Sequence, residues 1–121
     1  MSRNIPALTL NYTAEGAIAT RRLVKHGSAD GKVAQASANT DTLLGVSTDI
    51  PAEAGGRVDV IREGIVPVLY GGSITRGQPL TADTQGRAVA ASSGQQVAGF
   101  AEVSGVEGDI GVIHLQRSAL S

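Results

Sequence analysis

A chain of 121 residues with ten basic and eleven acidic side chains carries a net charge of −1, so no global field recruits nucleic acid or an anionic membrane. It contains no cysteine, which excludes disulfide scaffolds, thiolate nucleophiles and zinc-thiolate sites. With two Tyr, one Phe and no Trp, the interior of this single small domain must come from Val, Ile, Leu and Ala, and part of its stability is expected to come from association.

The opening Met-Ser-Arg-Asn-Ile-Pro lacks the apolar run and small-residue cleavage site of a secretory signal, and no stretch approaches the roughly 18 apolar residues of a membrane span. A soluble protein made in a cytoplasm is expected. Leu8, Leu10 and Tyr12 alternate with Thr9, Asn11 and Thr13, the period of a strand. From Ile18 the chain passes a basic cluster, Arg21, Arg22, Lys25 and His26, to the tight-turn signal Asp30-Gly31 and returns as a strand over 32–36. The cluster reads as a solvated strand end that can also grip an acidic partner.

Leu43 to Val46 is a short strand, Asp49 to Gly55 a loop, and Val58-Asp59-Val60 a half-buried strand. Glu63-Gly64 breaks it, and Ile65 to Tyr70 follows, with Pro67 marking an edge or a bulge. Further strands are predicted at 80–82, 87–91, 97–103 and 110–115, separated by turns rich in glycine, of which the chain has 16. Short strands at this spacing, with no apolar face of helical period, predict an all-β fold, a sandwich or small barrel. The expected core is Leu23, Val33, Leu44, Val46, Val58, Val60, Ile65, Val68, Leu80, Val89, Val97, Phe100, Ile110 and Val112.

The chain also repeats itself. Ala17-Ile18 answers to Ser73-Ile74, Gly31-Lys32-Val33 to Gly86-Arg87-Ala88-Val89, Leu44-Gly45-Val46 to Ala98-Gly99-Phe100, and Gly56-Arg57-Val58-Asp59-Val60-Ile61 to Gly108-Asp109-Ile110-Gly111-Val112-Ile113. The offset drifts from about 56 to about 52 residues, in constant order. The expected organisation is therefore one β domain over 17–121, made of pseudo-repeats at about 17–64 and 73–115 and preceded by an extended amino-terminal arm, residues 1–16, that has no counterpart. Such a strand is free to pair on its own sheet or on a neighbour's edge.

Residues able to do acid-base or nucleophilic work are sparse. His26 and His114 read as surface or packed residues, and Asp30, Asp41, Asp49, Asp59 and Asp83 sit in separate turns or strands. No nucleophile elbow, phosphate loop, zinc-binding helix or calcium loop is spelled out, and the stacking aromatics of nucleic-acid readout are missing. No catalytic, cofactor or metal site is expected, and the protein is read as not an enzyme.

The run Gly31-Lys32-Val33, Leu44-Gly45-Val46, Gly56-Arg57-Val58-Asp59-Val60 and Gly64-Ile65-Val66, continued by Arg76-Gly77-Gln78-Pro79-Leu80-Thr81, Gly86-Arg87-Ala88-Val89 and Val97-Ala98-Gly99-Phe100-Ala101, resembles the capsid decoration, or cement, proteins of tailed bacteriophages across residues 17–115. The resemblance implies a compact β-barrel or tulip-like fold that forms a homotrimer on the outer surface of the expanded head, near three-fold positions between hexamers of the major capsid protein. It implies a structural virion protein without a cofactor, partnered by the capsid protein and by itself, not by nucleic acid or membrane. On that reading the arm, through Arg3, Ile5, Leu8, Leu10 and Tyr12, extends a sheet of the capsid protein or of a neighbouring subunit. Arg21, Arg22 and Lys25 meet acidic capsid loops. The alternatives are a phage tail, baseplate or adhesion module, and a trimeric β nucleotide hydrolase of the deoxyuridine-triphosphate type.

Overall fold

Alternating apolar and polar residues cut every few positions by glycine-bearing turns leave the chain little choice but short strands. A computed structural model describes residues 8–119, with backbone alone for 117–119, and contains ten strands and no helix among the described residues. The first five are β1 (Leu8–Ala14), β2 (Leu23–His26), β3 (Lys32–Gln35), β4 (Leu43–Ser47) and β5 (Arg57–Glu63). They close a barrel in the order β1-β3-β2-β4-β5, with β1 antiparallel to β5 and parallel to β3. The second five are β6 (Ile65–Leu69), β7 (Pro79–Ala82), β8 (Ala88–Ala90), β9 (Gln96–Ala101) and β10 (Ile110–Ala119), in a sheet ordered β6-β10-β9-β7-β8.

The second unit repeats the connectivity of the first. Its one missing ladder, β6 with β8, survives as a single parallel bridge between Tyr70 and Ala88, where the first unit pairs Ala14 with Val33. Register fixes the correspondence residue by residue. Leu23 opposite Val46 matches Pro79 opposite Phe100, Val46 opposite Ile61 matches Phe100 opposite His114, and Thr13 opposite Arg57 matches Leu69 opposite Ile110. Gly45 and Gly99 are counterparts too, and a Cβ on either would strike the carbonyl oxygen of the adjacent strand, at Ile61 and His114 respectively. Only a residue without a side chain lets the strands approach so closely there.

Two departures from the sequence reading follow. β1 has a counterpart, β6, and is a wall of the barrel from Leu8 to Ala14; of the expected arm, residues 1–7 lie outside the described residues. The second unit accordingly starts at Ile65 and not at about residue 73. The last repeat also slips by one residue, so that Val58 and Val60 match Gly111 and Ile113, and not Ile110 and Val112. A one-residue slip in a strand exchanges its two faces. Ile110 is therefore 56% exposed and Val112 half-buried, while Ile113 is fully buried. Ile65 is 55% exposed, and Phe100 and Val89 are half-buried. The other nine expected core residues are buried.

Two apolar clusters hold the fold. Ala14, Ile18, Val24, Val33, Leu44, Ala52, Val58 and Val60 fill the first barrel, with Tyr12 packed against them. The second cluster joins the interior of the second unit, built round Val66, Val68, Tyr70, Leu80 and Ile113, to Leu23, Leu43 and Val46 of the first. The junction is stitched where a first-unit segment enters the open seam between β6 and β8. Leu69 donates its N–H to the Arg21 carbonyl at 2.9 Å, and Leu23 donates to the Gly86 carbonyl at 2.7 Å. Those two bonds account for the β6–β8 ladder being reduced to one bridge.

Candidate interaction surface

On β1, Leu8 and Leu10 are 42% and 40% exposed, whereas Tyr12 is half-buried on the barrel core with its hydroxyl 3.4 Å from Arg62 Nη1. β5 covers one edge of β1 from Leu8 to Thr13, but β3 pairs only with Thr13 and Ala14 on the other. Among the described residues the N–H and C=O groups of Leu8 to Tyr12 on that second edge have no strand against them. An open strand edge is a template for another strand. Arg3 and Ile5 lie outside the described residues.

The basic residues are held by their own chain. Arg21 sits at φ 57°, a left-handed conformation costly for a side-chain-bearing residue, which turns its carbonyl to Leu69; its guanidinium lies 3.9 Å from Asp49. Arg22 donates from Nη1 to the Gln85 carbonyl at 2.8 Å and from its backbone N–H to Ser47 Oγ at 3.0 Å, so it braces the junction between the units. Lys25 Nζ is 3.5 Å from Asp41, whose carboxylate also accepts the N–H groups of Ser37 and Ala38. The three cations thus each meet an acceptor inside the chain, on three different segments: the β4–β5 loop, the β7–β8 turn and the β3–β4 turn.

The β7–β8 turn that receives Arg22 and Leu23 is itself locked. Asp83 accepts the N–H of Gln85 and of Arg87, both at 2.8 Å, and pairs with Arg87 Nε at 2.8 Å, while Arg87 Nη1 reaches Glu107 at 3.2 Å. The Asp83 hydrogen bond, aided by Glu107, raises the Arg87 pKa further above its already high value. In the first unit, hydrogen bonds from the Ser28 side chain and backbone lower the pKa of Glu15. Among the described residues no three His, Asp or Glu gather in a way that would hold a metal ion. Among the described residues no helix is long and apolar enough to cross a membrane.

The feature that sequence reasoning missed is an outward apolar face on the second unit. Cross-strand register places Ile65 beside His114, Pro67 beside Val112, Leu69 beside Ile110, Phe100 beside His114 and Pro79 beside Phe100. Cross-strand partners share a face of the sheet, and the opposite face carries the buried Val66, Val68, Ile113 and Leu80. Four residues expected in the core, Ile65, Phe100, Ile110 and Val112, stand together here. On the first unit the equivalents on β1 and β5 are polar, Thr9, Asn11 and Thr13 with Arg57 and Asp59, with Asn11 Nδ2 donating to Asp59 at 2.8 Å and Arg57 Nη1 to Thr13 Oγ1 at 3.1 Å. The fold therefore does not require apolar residues at the positions of Ile65, Pro67, Leu69, Ile110 and Val112.

Comparison with known proteins bears on what such surfaces serve. A solved structure described as the crystal structure of head fiber gp8.5 N base in bacteriophage phi29 superposes with a TM-score of 0.72 at 22% identity, covering 96% of this chain and 99% of that one. At that identity the likeness is one of fold. No curated protein matches the sequence at a significant level. The family model described as phage cement protein matches residues 2–114, nearly the whole chain. The chain belongs to the phage cement protein family.

Proposed function

We propose that this protein binds the outer surface of the expanded phage head as a homotrimer and stabilises the lattice of the major capsid protein. The family match over residues 2–114 carries the reading. The structure supports it by offering two surfaces suited to association, the open β1 edge and the apolar face of the second unit.

The physical logic is linkage. A ligand that binds only the mature lattice stabilises it by an amount set by concentration over Kd, and a trimer presenting three copies of each contact multiplies weak contacts through effective concentration. The β1 edge, continued by Arg3 and Ile5, extends a sheet of the capsid protein or a neighbouring subunit. Arg21, Arg22 and Lys25 place positive charge towards acidic capsid loops. The test is thermal disruption of expanded shells with and without saturating protein, followed by light scattering. The expected result is a higher disruption temperature for expanded shells and no change for unexpanded ones. Equal disruption temperatures with and without protein would overturn the stabilising role.

A further inference from the structure

Among the described residues the apolar face on β6, β10, β9 and β7 has no occupant over Ile65 and Ile110, and the internal pseudo-symmetry indicates what covers it. In the first unit the residues at the equivalent of Pro79, Phe100 and His114 are Leu23, Val46 and Ile61. Leu23 and Val46 are fully buried, and Ile61 is packed beside them, because the second unit of the same chain lies on them. The chain therefore already shows this kind of face covered by a β unit of this kind. At the second unit the same positions run out of chain: Pro79, Phe100 and His114 are half-buried, and the face widens through Ile65 and Ile110, each more than half exposed.

Resting on the homotrimer reading above, we propose that this face is covered by a second copy of the chain, so that each subunit's second unit seats on its neighbour. The contact is one of side chains. Leu23 enters the seam of the second unit by donating its N–H to Gly86, but its counterpart Pro79 has no N–H to donate, and the Gly31 carbonyl, counterpart of Gly86, already accepts Thr13. A neighbouring copy is thus held through Ile65, Ile110, Val112 and Phe100 without an inserted backbone segment. Apolar burial without a hydrogen-bonded seam is non-directional and proportional to area, so a charge placed in it is strongly disfavoured.

The experiment measures solution mass by sedimentation equilibrium for the full chain, for Ile65→Lys, for Ile110→Lys, and for Asp59→Lys on the polar β5 position of the first unit that is equivalent to Val112, with cooperative thermal unfolding as the check on folding. Ile65 and Ile110 are surface positions within a subunit, so both lysine variants are expected to fold. The expected result is an oligomeric wild type and Asp59→Lys, with association of Ile65→Lys and Ile110→Lys weakened at least tenfold. Wild-type mass retained by both isoleucine variants would overturn the inference, as would equal dissociation of Asp59→Lys. A monomeric wild type that still binds expanded shells would also overturn it, leaving capsid binding intact and assigning the face to the capsid protein. A wild type that assembles through this face but does not bind shells would instead sink the capsid reading alone.

Discussion

Tyr70 is the largest fully buried side chain, and its place explains the composition of the strands round it. Its hydroxyl donates to the Val103 carbonyl at 2.7 Å, and its ring occupies the space where a Cβ on Gly111 would stand. Gly111→Ala is expected to destabilise by about 1–3 kcal/mol through overpacking, measured by denaturant unfolding. Tyr70→Phe leaves the carbonyl without this donor and is expected to cost about 1 kcal/mol at neutral pH. Burial also pushes the Tyr70 phenol above its ordinary value of about 10. A raised folded-state pKa means the contribution is complete below the unfolded value and is lost as pH rises through the folded one. The wild type should therefore lose stability as pH rises beyond about 10, and the loss in Tyr70→Phe should be smaller. Parallel alkaline limbs in the two proteins would contradict this.

The same residue explains a misreading at the scale of the element. Period-two alternation made the strands legible, and glycine made the turns legible, because both signals are local. The phase of β10 was not legible. In Ile110-Gly111-Val112 the inward position is a glycine, because Tyr70, some 40 residues earlier, fills its space; Ile110 and Val112 then look like the core although they face out. The apolar face was hidden for that reason, its residues being assigned to the interior. The basic residues stand close in sequence, but the acceptor of Arg22, the Gln85 carbonyl, arises from the inter-unit junction and has no local signature.

β1 was read as a strand but not as a barrel wall, because its partner β5 lies nearly 50 residues away. Removal of residues 1–14 deletes this strand and exposes the core lined by Val58 and Val60. Loss of cooperative unfolding is expected for that deletion. Removal of residues 1–7 leaves β1 whole; we expect native unfolding together with weaker shell binding, read by calorimetry and sedimentation. Shell binding unchanged by the shorter deletion would discard Arg3 and Ile5 as contacts.

Across the molecule, one five-stranded plan is used twice and given two surfaces where its first and last strands pair, polar on β1 and β5 and apolar on β6 and β10. The intra-chain junction consumes an apolar face of the first unit and leaves one on the second, the arrangement of a subunit built to be joined. A chain with three aromatic residues gains from burying such a face in an assembly, since its own interior is modest.

The most direct measurement is co-sedimentation of the purified protein with expanded, undecorated shells from its own phage, with unexpanded shells as control. The expected result is saturable binding to expanded shells alone, at a copy number divisible by three per lattice unit. Absence of binding to expanded shells, or equal binding to both forms, would contradict the cement role.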